Sequence, residues 1–116
     1  DGDMLNLDNF DAIRREGRYA AAISQPIASR AILLNAHQPF TRERDVRLAL
    51  QYAVDREGIA ATILNGSETV APSLLASTVA YCDLPLEARG HDPEKAARLL
   101  DGAGWLMTEG QRAPVL

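Results

Sequence analysis

The stretch Pro39-Phe40-Thr41-Arg42-Glu43-Arg44-Asp45, with the run behind it from 46 to 64, decides the fold. Behind the turn, apolar residues fall at the i, i+3, i+4, i+7 and i+8 positions: Val46, Ala49, Leu50, Ala53 and Val54. This period predicts an amphipathic α-helix. Asp55 can then cap a second helix, and Asn65-Gly66 can end that helix in the left-handed region. The sequence therefore predicts a turn followed by a helix pair.

The segments on either side of this pair give an α/β pattern. Asn6 and Gly17 are typical of the two ends of a helix, and Asp92-Pro93-Glu94 is typical of a helix start. Residues 76–90 have no period and are predicted to form a long ordered loop. The predicted helices lie near 7–15, 44–54, 56–65 and 92–103, and the predicted strands near 19–24 and 28–35. The predicted core consists of Leu33, Val46, Leu50, Val54, Ile59, Ile63, Leu99 and Leu100.

Several blocks of this chain resemble one known protein family. The first set is Asn35, Pro39-Phe40, Val46-Arg47, Ala49-Leu50 and Ala53-Val54-Asp55-Arg56. It is similar to a segment of the family 5 extracellular solute-binding proteins, which serve ABC importers of peptides and nickel. A second set favours the nickel branch of that family: Ile23-Ser24-Gln25-Pro26-Ile27, Gln51-Tyr52-Ala53-Val54, His91-Asp92-Pro93-Glu94-Lys95-Ala96 and Ala103-Gly104-Trp105. The resemblance covers essentially the whole chain.

The resemblance implies an α/β fragment of a two-lobed periplasmic binding protein (type II) fold, mainly part of the second lobe. Residues 1–24 would be the end of a first-lobe segment and the crossing strand, and residues 25–116 a partial second lobe. Family members are several times longer than 116 residues, so an internal fragment is expected. The opening Asp1-Gly2-Asp3-Met4, without a start methionine or signal peptide, agrees with that expectation.

The function implied by the resemblance is solute binding in the periplasm for an ABC importer, and not catalysis. The solute would be nickel, held as a chelate in the full-length protein, and the partners would be the importer's membrane subunits. A peptide- or opine-binding member of the family and an unrelated small α/β interaction module remain alternatives. The family's cleft residues lie outside this segment, so none of them can be assigned to a position here.

Composition narrows the classes of partner. The formal net charge is −4, whereas nucleic-acid binding requires a basic face, so no nucleic-acid partner is expected. No apolar run approaches the ~20 residues of a membrane span. Cys82 is the only cysteine, which excludes a disulfide within this chain.

Candidate metal ligands are few and separated in sequence. His37 and His91 are the two histidines, and they do not form the close pair that metal sites commonly use. We expect both on the surface. The soft donors Met4, Cys82 and Met107 are expected to pack in the core or in loops. The sequence thus predicts no catalytic, cofactor-binding or metal-binding residues, and no tight nickel binding by this chain alone.

The charged turn 41–45 can be interpreted in two ways. It could bind an anion or a membrane transporter, or it could be a solvated turn in which Thr41 or Asp45 caps the helix. The solvated turn is favoured, with Arg42 and Arg44 in water. Arg47 lies on the first turn of the helix, where it could form an ion pair with Asp55 or Glu43. Open strand edges also predict that the chain self-associates, by edge pairing or exchange of a terminal segment.

Overall fold

The computed structural model describes residues 6–114, apart from the Leu7 side chain, and this range holds four α-helices and one β-hairpin. The helices are α1 (Leu7–Glu16), α2 (Arg44–Ala53), α3 (Arg56–Gly58) and α4 (Pro93–Gly102). A π-helical turn, Ile59–Ile63, continues α3. The strands are β1 (Trp105–Thr108) and β2 (Gln111–Pro114). The four predicted helices are therefore confirmed, the third as a short α-helix that widens into a π turn.

Side-chain caps define where three helices begin. In each case a side-chain oxygen accepts a hydrogen bond at 2.8 Å from the backbone N–H three residues later: Asn6 from Asn9, Asp55 from Gly58, and Asp92 from Lys95. These bonds satisfy donors that the first helical turn leaves free. Gly17 ends α1 with φ 66°, and Asn65 and Gly66 follow the π turn with φ 47° and 69°. The predicted helix ends at these positions are confirmed.

The core lies between α2 and α4, which pack against each other. Val46 and Ala49 of α2 and Ala96 of α4 are buried, and Ala49 is fully enclosed. Small side chains at the contact allow two helix backbones to approach closely. Ala76, in the long loop, is also buried. The helix pair is thus held by a narrow stripe of small residues.

Most of the predicted core is wrong. Val46 is buried and Leu99 and Leu100 are half-buried, but the other five predicted core residues are exposed: Leu33, Leu50, Val54, Ile59 and Ile63. The apolar face of α2 is wider than the stripe that α4 covers. Val46 and Ala49 are buried, whereas Leu50 and Val54, on the flank of the same face, remain 40% and 37% exposed in the part of the chain that the structure describes. A correct helical period therefore did not ensure burial.

The two predicted strands are also wrong. Residues 20–35 form no helix, turn or strand, and no other strand within residues 6–114 pairs with them. A strand is defined by its partner, so β-propensity alone could not produce one here. The strands that do form make an antiparallel hairpin, with Leu106 opposite Ala113. Its turn is Glu109-Gly110, with φ 51° and 81°; positive φ at both residues is what a type I′ hairpin turn requires.

The molecule is elongated for its length. Its radius of gyration is 18.7 Å and its principal extents are 62 × 37 × 22 Å. A compact chain of this size would have a radius of gyration of about 13 Å. The predicted loop 76–90 is confirmed as a segment without helix or strand, and it adds to this open shape. A single helix pair with a hairpin beside it therefore carries an unusually large surface.

Candidate functional site

The turn that precedes α2 is held together by its own side chains. The Thr41 hydroxyl donates to the Asn35 carbonyl at 2.5 Å, and the His37 N–H donates to Asn35 Oδ1 at 2.9 Å. Thr41 is 4% exposed, and it is the only polar residue that is buried among residues 6–114. A hydrogen bond to a carbonyl is what allows a hydroxyl to be buried at low cost. The turn is thus a fixed loop.

Arg47 ties the same turn to α2. Its Nη1 donates to the Thr41 carbonyl at 2.8 Å and to the Arg42 carbonyl at 2.6 Å. The expected ion pair of Arg47 with Asp55 or Glu43 is therefore wrong, because the guanidinium is occupied by main-chain oxygens. The expected caps are wrong as well. The N-cap of α2 is Glu43, without a side-chain hydrogen bond, and Thr41 bonds back to Asn35 instead.

The solvated character of the turn is confirmed at its other residues. Arg42 and Arg44 are exposed, and neither forms an ion pair within the part of the chain that the structure describes. Phe40 is exposed as well. The turn therefore presents an aromatic ring and two free cations to solvent.

A tyrosine–lysine pair joins α2 to α4. Lys95 Nζ donates to the Tyr52 hydroxyl at 2.9 Å and lies 4.2 Å from the centroid of its ring. The hydrogen bond from Lys95 lowers the pKa of the Tyr52 phenol below its ordinary value. The Asp92 N–H donates to the Tyr52 carbonyl at 2.9 Å, so main chain and side chain fix the same approach. These contacts fix the position of the start of α4 relative to the end of α2.

An arginine network attaches the loop before α4 to the helix pair. Arg89 Nη1 donates to Gln51 Oε1 at 2.9 Å, and Arg56 Nη2 donates to the Arg89 carbonyl. The Arg56 Nε is buried and has no hydrogen-bond partner within residues 6–114. Together with the Tyr52 pair, these contacts close the seam between the end of α2, the start of α3 and the start of α4. The arrangement holds the end of α2, the start of α3 and the start of α4 together.

The candidate metal ligands do not form a site among the described residues. His37 and His91 are exposed, as expected. Met107 is 59% exposed on β1, so its expected packing in the core or a loop is wrong. Met4 lies outside the described residues. Within residues 6–114 no three His, Cys, Asp or Glu side chains are close enough to hold a metal ion.

Cys82 lies beside a shallow apolar cavity. The cavity is about 300 Å³ and is lined by Ser73, Leu74, Leu75, Cys82 and Leu84. Its volume is at the lower limit of small-molecule sites, but such sites add a few convergent polar groups to an apolar lining. Ser73 Oγ is already used, since it donates to the Leu75 carbonyl at 2.7 Å. The cavity therefore lacks the groups that would orient a ligand.

Sequence reasoning missed the seam contacts. Tyr52 and Lys95 are 43 residues apart, and Gln51 and Arg89 are 38 apart, so no local period reports them. One signal was present, because Gln51-Tyr52 and the block 91–96 both belong to the family resemblance. The structure shows that the two blocks contact each other, because α4 packs against α2.

These contacts fix the turn before α2 and the start of α4 on the same helix, α2. Comparison with family models gives the class. Residues 3–114 match the model described as "Bacterial extracellular solute-binding proteins, family 5 Middle". The chain belongs to this family, and an unrelated α/β interaction module is thereby excluded. Its fold is that of part of a two-lobed periplasmic binding protein of type II.

Two relatives are similar to this chain over most of its length. The chain is 37% identical over 108 residues to the nickel-binding periplasmic protein of Escherichia coli (strain K12), covering 93% of this chain and 21% of that protein. It is also similar to NikA from Brucella suis, whose crystal structure is a complex with Fe(III)-EDTA. That match has a TM-score of 0.81 and 34% identity, and covers 91% of this chain and 23% of that one. The chain thus spans about a fifth of the length of these relatives. Among the described residues, no helix has the length and apolar character to cross a membrane.

Proposed function

We propose that this chain is part of the solute-binding component of an ABC importer for nickel, taken up as a chelate. The observation that carries the proposal is the 37% identity, over nearly the whole chain, to a nickel-binding periplasmic protein. The complex of NikA with Fe(III)-EDTA supports the chelate, because there the metal is enclosed in a polydentate carboxylate ligand. The working location would be the periplasm, and the importer's membrane subunits would be the partners.

The chain's share in that function is structural support. Its hydrogen bonds fix the turn 35–43 on α2 and fix α4 on Tyr52, whereas no cluster of three metal-ligating side chains occurs in residues 6–114. Residues 1–24 would end a first-lobe segment and cross between the lobes, and residues 25–116 would form part of the second lobe. In this proposal nickel is cargo of the whole protein, and the groups that hold its chelate lie outside this segment.

The test is calorimetry on the complete product of the gene that contains this sequence. We expect one-to-one binding of nickel presented with a histidine or aminopolycarboxylate chelator, and none of short peptides or opines. Binding of a peptide or opine, with no response to the nickel chelate, would contradict the proposal and assign the other branch of the family.

A matched pair of variants connects this segment to binding. Ala49→Asp places a carboxylate at the enclosed contact of α2 with α4, whereas Ala53→Asp places the same group on an exposed position of the same helix. In the complete gene product we expect Ala49→Asp to lower the melting temperature and the fraction of binding-competent protein. The dissociation constant of the remaining folded protein should stay unchanged. A larger dissociation constant in Ala49→Asp, at an unchanged melting temperature, would indicate that the ligand contacts this part of α2.

A further inference from the structure

The π-helical turn ends in the only Asn-Gly sequence of the chain, Asn65-Gly66. Asn65 has φ 47° and Gly66 has φ 69°, and both residues are exposed. Glycine and asparagine are the residues that adopt this left-handed conformation most readily, which is why the helix can end there. The same two residues also have a covalent chemistry that does not depend on their part in the fold.

That chemistry is attack of the main chain on the asparagine side chain. The Gly66 nitrogen, once it loses its proton, can bond to Asn65 Cγ and close a cyclic succinimide, with Asn65 Nδ2 leaving as ammonia. Water then opens the ring and leaves either aspartate or isoaspartate at position 65. Asparagine is thermolabile, and glycine has no Cβ to hinder ring closure. Both reacting atoms lie in adjacent residues, so the site is complete within this chain, whatever the rest of the polypeptide covers.

The helix end restrains the attacking nitrogen. The Gly66 N–H donates to the Ala60 carbonyl at 2.8 Å, which engages the proton that must be lost. Beside it, the Ser67 N–H and the Ser67 hydroxyl both donate to the Leu64 carbonyl, at 2.8 Å and 2.6 Å. Helix ends open locally at a lower free energy than the whole domain unfolds. The nitrogen therefore becomes reactive when this end of the helix opens.

The Asn65 side chain also links two distant parts of the chain. Its Nδ2 donates to Asp11 Oδ2 at 3.2 Å, and among residues 6–114 this is the only hydrogen bond between α1 and residues that follow Gly17. Loss of ammonia removes the donor. The carboxylate that replaces it would lie beside the Asp11 carboxylate, where like charges repel. Reaction at Asn65 would therefore break this link.

We propose that Asn65 is a site of spontaneous deamidation, that opening of the helix end at Gly66 controls its rate, and that the reaction breaks the hydrogen bond to Asp11. The site requires only water as co-reactant, and ammonia is the leaving group. It is independent of solute binding, since it uses only Asp11 and residues 60–67.

The test is incubation of the complete gene product below its melting temperature, followed by peptide mapping that separates asparagine, aspartate and isoaspartate. Asn35 is the internal control, because it is also exposed but precedes Ala36, which has a Cβ. We expect Asn65 to react at least about tenfold faster than Asn35, with isoaspartate among the products. Unmodified Asn65, equal rates at the two asparagines, or aspartate without isoaspartate would overturn the proposal.

Control by the helix end is tested with a matched pair of serine variants. Ser67→Ala removes the hydroxyl bond to the Leu64 carbonyl and should raise the rate at Asn65 about two- to tenfold. Ser73→Ala removes a similar bond, to the Leu75 carbonyl, and should leave that rate unchanged. In urea, where the helix end is open, Asn65 of the unaltered protein should also react faster. Equal rates in the two variants, or no acceleration in urea, would contradict this control.

Discussion

Lys95, the only lysine of the chain, makes the Tyr52 phenol more acidic. Lys95 donates to the hydroxyl and lies beside the ring, and this hydrogen bond lowers the pKa of Tyr52. A positive donor favours the ionised phenolate over the neutral form. The contact is exposed to solvent, so its effect is best detected as a titration and not as a change in stability.

We therefore predict that Lys95→Met raises the pKa of Tyr52 toward the ordinary value of 10.0. The measurement is ultraviolet titration of phenolate in a background with Tyr19→Phe and Tyr81→Phe, which leaves Tyr52 as the only tyrosine. Arg98→Met removes a cation from the same helix and is the control. An unchanged titration in Lys95→Met would show that the pair does not form in solution.

Thr41 gives the second prediction at the residue scale. Thr41→Val keeps the shape but removes the hydroxyl that donates to Asn35, leaving a carbonyl with one partner fewer. The loss should cost about 1–3 kcal/mol of unfolding free energy, because the group is buried. Urea denaturation measures it, and Thr69→Val, at an exposed threonine, should change the midpoint little. Equal midpoints for the two variants would contradict the role of Thr41.

Among the elements, α2 shows what periodicity predicts and what it leaves out. The spacing from Val46 to Val54 gave the helix, its length and the side that faces inward. It did not give the width of the face of α2 that is buried. That width depends on how α4, about 40 residues further along the chain, packs against α2. Leu50 is 40% exposed, so Leu50→Ala should cost less than the ~2–5 kcal/mol of a fully buried leucine.

The enclosed contact on α2 is Ala49, and this gives the prediction for the helix pair. Ala49→Leu should destabilise the fold by about 1–3 kcal/mol, because the added carbons must push α4 away. Ala53→Leu adds the same atoms at an exposed position of α2 and serves as the control. Thermal melting compares the two variants. A melting temperature for Ala49→Leu at or above that of Ala53→Leu would contradict the close packing of α2 against α4 at Ala49.

The hairpin depends on its turn. Gly110 has φ 81°, where an added Cβ is strained although no neighbouring atom lies within 4 Å. Gly110→Ala should therefore cost about 1–2 kcal/mol. Gly90 is also free of neighbours but lacks the positive φ, so Gly90→Ala is the matched control and should be nearly neutral. Chemical shifts of Trp105 and the β2 amides would report the loss of pairing. Equal effects of both alanines would contradict the turn geometry.

At the scale of the molecule, an elongated shape and many uncovered apolar residues occur together. The helices and their caps were predictable because a cap and a period are local. The absence of strands at 19–24 and 28–35 was not predictable. A strand needs a pairing partner, and the composition of a segment does not show whether it has one. The same limit applied to the seam of Gln51, Tyr52 and Lys95. Family membership was predictable from short blocks of residues, and the match of residues 3–114 to the family model confirms it.

The central claim is that this chain supports a nickel-chelate binding protein without holding the metal itself. Calorimetry of the tag-free 116-residue chain with nickel, alone and with a histidine-type chelator, tests it most directly. A site of useful affinity needs several donors around one point, and residues 6–114 offer no cluster of three. We predict no one-to-one binding of submicromolar strength in either condition. Such binding, lost in His37→Ala or His91→Ala, would contradict the claim.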